Sequence, residues 1–353
     1  MAQADNRGGS VGPADTIKSM RVYVFGAGAS VHAGYPLASG IGDALSKWLD
    51  SATGNLYCPD KTIEGYKGLI LALRKHYPRL EDFEQIVTDW ESGSISLPCD
   101  VGWKALISAY WSPSDLRSTI ADFFGQVPRS ANLYRQLAEQ NVKHGDVVIT
   151  FNYDVALERE LRLARAWDLS NGYGFEIFQT RHPASLVPVL KLHGSVNWVK
   201  CMGGAGLHAG FPFDKPVAIM PQDLIDLGYD KRVDAGFRAG GVDRPNLILP
   251  GKEKRFETDL FDPLWSQAEL ALRHASELVV IGYSFPEADK RATELILQRT
   301  NRNAQVTVCC RTDGVRICDH FRSIGFTSVR DADSFESWLS TATSRSAGAS
   351  TAP

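Results

Sequence analysis

Residues 22–36 read VYVFGAGASVHAGYP: an apolar run, three small residues at Gly26, Ala27 and Gly28, a hydroxyl at Ser30, and a second small-residue turn at Ala33 and Gly34. Val22, Tyr23, Val24 and Phe25 show no polar alternation, which suits a parallel strand buried on both faces. Residues without bulky side chains at the end of such a strand let a diphosphate approach backbone N–H groups where the next helix begins. The order therefore fits a nucleotide pocket in an α/β protein. The dinucleotide fingerprint G-x-G-x-x-G is departed from, because Val31 stands three positions after Gly28. Glycine turns after strands also serve packing alone, so the turn by itself leaves both readings open.

The rest of the composition narrows the class. The chain has 353 residues, 44% hydrophobic and 22% charged, enough apolar material for a large core or two domains. Net charge is -3 and no dense Lys/Arg run occurs, so nothing in the electrostatics favours a nucleic-acid partner. Six cysteines at 58, 99, 201, 309, 310 and 318 form no C-x-x-C pair, which argues against a structural zinc site and against a disulfide framework; no metal is expected. The first ten residues lack the charged and apolar regions of a secretory signal, and no segment has the length to span a bilayer. The expected location is the cytoplasm, with no membrane partner.

Along the chain, a flexible N-terminus over 1–18 precedes the first strand at 21–26, and a helix follows at about 38–50 with Ile41, Leu45, Trp48 and Leu49 on one face. Helix-like stretches at 62–75, 80–91, 101–111, 115–124 and 130–140 then predict a helical insertion over about 51–140. The α/β rhythm returns with a strand at 146–150, a helix at 153–165, an extended region at 174–178 and a strand at 187–192. Residues 201–245, rich in Gly, Pro and Asp, read as a loop excursion. The last third alternates a helix at 259–274, a strand at 277–282, a helix at 287–299, a strand at 304–309 and helices at 314–323 and 333–340, with a flexible tail over 341–353. Such alternation implies a parallel sheet.

Three further strand ends carry polar residues. In VVITFNYDVAL (147–157), Asn152 and Asp154 follow a buried strand and precede an amphipathic helix; they serve as a helix cap, as site residues, or as both. In LKLHGSVNW (190–198), His193 follows a hydrophobic strand and precedes a glycine. It is either a structural histidine or a general base whose pKa suits neutral pH. In VVIGYSFPEAD (279–289), Gly282 and Ser284 follow a strand, and Ser284 is either a cap or a contact to ribose or phosphate.

Taken together, these segments resemble the sirtuins. GAGAS-x-x-AGYP resembles the family's glycine turn and its Ala-Gly-aliphatic-Pro cofactor loop, TFNYD its Gln-Asn-x-Asp element, LHGS its catalytic His-Gly, and GYS its Gly-Thr-Ser. The four occur in family order over residues 22 to 285. The resemblance implies a Rossmann-like parallel sheet, a sirtuin-type NAD-binding fold spanning 19–340, here with a helical insertion and no zinc module. Gly26, Ala27, Gly28 and Ser30 would hold the diphosphate, and Ala33, Gly34 and Pro36 would form the cofactor loop. Asn152 would orient the attacking water, Asp154 would bind the nicotinamide carboxamide, and His193 would act on the ribose hydroxyls. Gly282 and Ser284 would contact phosphate or ribose, and Asn301 or Asn303 would touch the adenosine ribose.

The departures favour one activity. Deacylating sirtuins carry two C-x-x-C pairs after the His-Gly, whereas Cys201 stands here with Gly203 and Gly204 following, and the family's Asp-Phe-Arg is replaced by Leu37-Ala38-Ser39. The chain is more similar to divergent bacterial sirtuin-like proteins that hydrolyse NAD in anti-phage defence. The resemblance thus implies an NAD+ glycohydrolase yielding ADP-ribose and nicotinamide. The alternatives are a protein deacylase or ADP-ribosyltransferase, and a non-catalytic sensor of NAD or ADP-ribose. The helical block 61–140 and the loop 201–245 are the expected gates or homo-oligomer surfaces, with internal packing of their apolar faces as the default alternative, and a HerA-type ATPase is a candidate partner.

Overall fold

In the computed structural model, the described residues are 20–53, 60–80, 82–105, 108–126, 130–169, 172–175, 187–201, 218–219, 243–252, 254 and 258–348. The expectations for 1–18 lie outside them, as does most of 201–245. Strand β1 (Arg21–Phe25) forms where the apolar run predicts it, and Val22, Tyr23, Val24 and Phe25 are all fully buried. Its parallel partners are β2 (Val147–Thr150) on one side and β7 (Glu277–Ile281) on the other. Beyond them lie β3 (Val189–Lys191) and, on the other flank, β8 (Gln305–Cys309) and β9 (Val329–Asp331). The six-stranded order β3-β2-β1-β7-β8-β9 is the doubly wound α/β arrangement. The chain leaves β1 toward β2 and β3 and returns to the far side at β7. The reversal lies between β1 and β7, the position at which open α/β sheets generally bind ligands.

Between β1 and β2 the chain is helical. A one-turn α1 (Ala27–Ser30) is followed by α2 (Ile41–Ser51), α3 (Asp60–His76), α4 (Phe83–Glu91), α5 (Gly102–Ala105), α6 (Pro113–Gln126) and α7 (Asn132–Gln140). Their apolar faces are internal: Leu45, Leu69, Leu73, Val87, Leu116 and Leu137 are buried in the same core as the sheet. After β2 comes α8 (Ala156–Leu163), and the last third supplies α9 (Thr258–His274), α10 (Lys290–Arg299), α11 (Gly314–Ser323) and α12 (Phe335–Gly348). Helix α12 extends into the stretch read as a flexible tail.

The described residues in and beside the excursion form a second sheet. Strand β4 (Gly194–Cys201) follows His193 directly, and it pairs antiparallel with β5 (Ala218–Ile219) and β6 (Asp243–Leu247) in a second, three-stranded sheet. Non-local pairing holds these strands together; Trp198, fully buried, meets Tyr173 edge-on at 5.2 Å. Among the described residues, no helix is long and apolar enough to cross a membrane, and no cluster of three or more His, Cys, Asp or Glu could hold a metal ion.

Candidate functional site

The β2 strand end builds the first half of the site. Asn152 follows the ladder by two residues, and its Nδ2 donates to the Gly26 carbonyl and to Ser30 Oγ, both at 3.0 Å. Ser30 Oγ in turn donates to Asp154 Oδ2 at 2.7 Å. With its one proton spent there, the serine oxygen accepts from Tyr134 OH at 2.8 Å. Burial, with the Asp154 charge adding to it, pushes the Tyr134 phenol well above its ordinary pKa, so it remains a donor. Ser30 is therefore fully satisfied and ties the glycine turn to β2 and to α7.

Asp154 has a second duty. Its Oδ1 accepts the Ala156 N–H at 3.0 Å at the start of α8, so the carboxylate caps the helix while it holds Ser30. Beneath it, the fully buried Lys191 ammonium donates to the Asp154 carbonyl and pairs with Glu158 Oε1 at 2.7 Å. Tyr173 OH reaches the same Glu158 oxygen at 3.3 Å and accepts from Asn197 Nδ2 at 2.9 Å. Burial raises the Glu158 pKa, and Lys191 opposes that rise. This network joins β3, α8 and β4 under the polar edge.

The β3 strand end builds the second half. Thr150 lies opposite Lys191 in the β2–β3 ladder, so two residues further on Asn152 and His193 leave adjacent strands at the same edge. His193 sits where the parallel sheet hands over to β4, and its carbonyl accepts Ile248 N–H at 2.9 Å. The ring packs on Phe151 at 5.0 Å, and Phe151 stacks on Tyr283 at 4.6 Å. His193 Nε2 lies 3.3 Å from Asp289 Oδ1, the oxygen that also meets Lys254 Nζ at 3.1 Å, while Tyr283 OH donates to Asp289 Oδ2 at 3.0 Å. Burial lowers the His193 pKa, Lys254 adds to that, and Asp289 opposes it. Burial alone would raise Asp289, but His193 and Lys254 together hold it well below the usual carboxylate range.

The glycine turn does something the sequence did not announce. Gly26 N–H donates to the Ile281 carbonyl and Gly28 N–H to the Gly282 carbonyl, both at 3.0 Å, so both donors expected to meet a diphosphate are engaged by the β7 strand and the loop after it. A Cβ on Gly26 would lie 2.6 Å from the Gly282 carbonyl oxygen, and one on Gly282, whose φ is +61°, would lie 2.1 Å from Ala29 N. These glycines let two loops touch backbone to backbone at the β1–β7 reversal. Ala27 is half-buried beside them.

The remaining expected residues divide. Ala33 is buried, Gly34 is exposed at the end of a short helical turn, and Pro36 is half-buried next to the exposed Leu37; these sit on the loop that leaves β1. Ser284 is exposed after β7, and its carbonyl accepts from Arg316 at 2.7 Å. Asn301 is not brought to this edge. It precedes β8, and all six strands are parallel, so it lies at the amino-terminal edge, where it binds the carbonyls of Leu272 and Ala275. The adjacent Asn303 shares that placement, its N–H donating to Asn301 Oδ1 at 3.0 Å. The residues that β8 does deliver to the polar edge are Cys310, Arg311 and Thr312.

Sequence reasoning missed Asp289, Lys254 and Tyr134. Asp289 stood in the quoted SFPEAD segment, where its nearness to a helix start hid it. Lys254 and Tyr134 arrive from distant elements, with no local signal at all. Chemically, the edge presents an amide, a cap carboxylate and a carboxylate-paired imidazole on two neighbouring strand ends.

No family model and no curated relative matches the chain. Among solved structures it is similar to Sir2 proteins. One is in complex with an inhibitor, 2′-O-acetyl-ADP-ribose and a deacetylated peptide, with 12% identity, 93% of this chain and 94% of that chain covered, and a TM-score of 0.42. A second is a mutant Sir2 homologue with 2′-O-acetyl ADP ribose, with 16% identity, 96% of each chain covered and a TM-score of 0.42. A third is Sir2 bound to an acetylated peptide, with 14% identity, 94% of each chain covered and a TM-score of 0.41.

Proposed function

We propose that this chain is an NAD+ glycohydrolase, converting NAD+ and water to ADP-ribose and nicotinamide. One observation carries the reading: Asn152, Asp154 and the Ser30 of the glycine turn form one hydrogen-bonded group, with His193 on the next strand end. In the reaction, the bond from the ribose anomeric carbon to the pyridinium nitrogen breaks and its electron pair goes to the ring, releasing neutral nicotinamide. A water oxygen bonds to the same carbon, and one proton leaves. The oxocarbenium-like transition state needs positioned groups and developing-charge stabilisation. Asn152, with Nδ2 fixed on Gly26 and Ser30, offers Oδ1 to orient the water. His193 takes the proton of the water or of a ribose hydroxyl. Asp154 binds the nicotinamide carboxamide.

Consumption of a central cofactor suits an effector of anti-phage defence in the cytoplasm, held silent until a signal arrives. Burial of Ser30, Asp154 and His193 supports a closed resting state. Homo-oligomerisation or a HerA-type ATPase partner, acting through the helical block or the 201–245 segment, would supply the trigger. The test is chromatography of NAD+ incubated with the pure chain, with and without an acyl-lysine peptide. Release of nicotinamide and ADP-ribose in water alone, lost in Asn152→Ala and His193→Ala, supports the proposal. Product formation equal in all three proteins overturns the site assignment, and peptide-dependent release points to deacylation or transfer.

A further inference from the structure

The least expected feature of the polar edge is a buried carboxylate shared by two cations-to-be. Asp289 Oδ1 faces both His193 Nε2 and Lys254 Nζ, and the side chains of these three groups are only 3%, 5% and 11% exposed, respectively. Asp289 is fixed from its other oxygen by Tyr283 OH, and the His193 ring packs against Phe151 at a tilt of 54°. Lys254 comes from a segment that crosses from the second sheet to the helical block. Ile248 binds the His193 carbonyl, and Lys252 N–H binds Thr88 Oγ1 of α4 at 2.8 Å.

We propose that Asp289 is the positioning residue of His193, keeping the ring proton on Nε2 so that Nδ1 is the basic nitrogen, and that Lys254 attenuates this pairing by drawing on the same oxygen. The inference rests on the reading of His193 as the base. His193 Nε2 faces Asp289 Oδ1 as an ion-pair contact at 3.3 Å, and the charge of a carboxylate that only accepts favours the ring proton on the nitrogen facing it, leaving the lone pair to the other nitrogen. The same logic makes the aspartate of a Ser-His-Asp triad an orienting group and not a proton carrier. The charged and titratable groups around His193 are Asp289, Lys254, Tyr283 and, at longer range through Asp289, Tyr153 and Glu84. Burial keeps both phenols neutral, so Asp289 raises the basicity of His193 and Lys254 lowers it.

The experiment is nitrogen-15 NMR of the imidazole in the full chain, titrated with pH, beside NAD+ turnover. Wild type is expected to show the Nε2–H tautomer. Asp289→Asn is expected to lower the imidazole pKa, mix the tautomers and reduce kcat on the order of 10²- to 10⁴-fold with KM little changed. Lys254→Met is expected to raise the imidazole pKa and shift the acidic limb of the rate profile to higher pH, and it keeps the test open if Asp289→Asn fails to fold. An Nδ1–H tautomer in wild type, or an imidazole pKa unmoved in the folded variants, overturns the proposal. The tautomer and the imidazole pKa are read without substrate, so they decide this proposal whether or not the pure chain turns over NAD+, and the hydrolase reading is decided separately by product analysis.

Discussion

Ser30 is the residue on which the polar edge hangs. Its hydroxyl accepts from Asn152 and Tyr134 and donates to Asp154, so Ser30→Ala strands three buried or half-buried groups at once. Since an unsatisfied buried partner costs about 1–3 kcal/mol, the expected loss is about 2–4 kcal/mol, read as a lower urea midpoint with an unchanged m-value. The histidines give a pH signature. His193 and His32 both have folded pKa values lowered from 6.5, chiefly by burial, so the folded state binds fewer protons than the unfolded one. Their contribution is fully present above pH 6.5 and is lost as pH falls through the folded values. Stability should decline from about pH 6.5 downward, and His193→Gln should flatten that decline in denaturant titrations. Asn152, Asp154 and His193 were legible because each follows a buried strand directly. Asn301 and Asn303 came from the resemblance alone, with no buried strand leading into them, and they lie at the amino-terminal edge of β8.

At the scale of elements, the decisive contact is between the loops after β1 and β7. Gly282, at φ +61° with Ala29 N filling the space of a Cβ, admits no side chain. Gly282→Ala is expected to cost at least about 2 kcal/mol and to shift the melting temperature downward by several degrees, since both strain and overlap are introduced. A comparable loss is expected for Lys191→Met, which leaves Glu158 buried without its cation; breaking a buried pair costs about 3–5 kcal/mol. A melting temperature unchanged in either variant would contradict the packing described. Most helices and the strands from β1 to β8 of the large sheet were readable from periodicity and β-branched runs, but of the helix expected at 101–111 only Gly102–Ala105 is helical among the described residues, and Tyr110 instead bridges antiparallel to Pro98. Strands β4, β5 and β6 were not, because their pairing is antiparallel, non-local and interrupted by a bulge between Gly194 and Val199. The short, largely exposed β9 carries no such pattern.

For the whole molecule, the strand order places its reversal between β1 and β7, and the helical block between β1 and β2 packs into the same core as the sheet. A dinucleotide held at that edge binds only the folded chain, so NAD+ at about 100 times its dissociation constant should stabilise the protein by about 2.7 kcal/mol. The most direct measurement is a crystal structure of the His193→Ala variant grown with NAD+. The account predicts the dinucleotide across the carboxyl edge between β1 and β7, its nicotinamide ribose against Asn152 and the site of residue 193. NAD+ bound at another surface, or an empty edge in crystals saturated with NAD+, would contradict it.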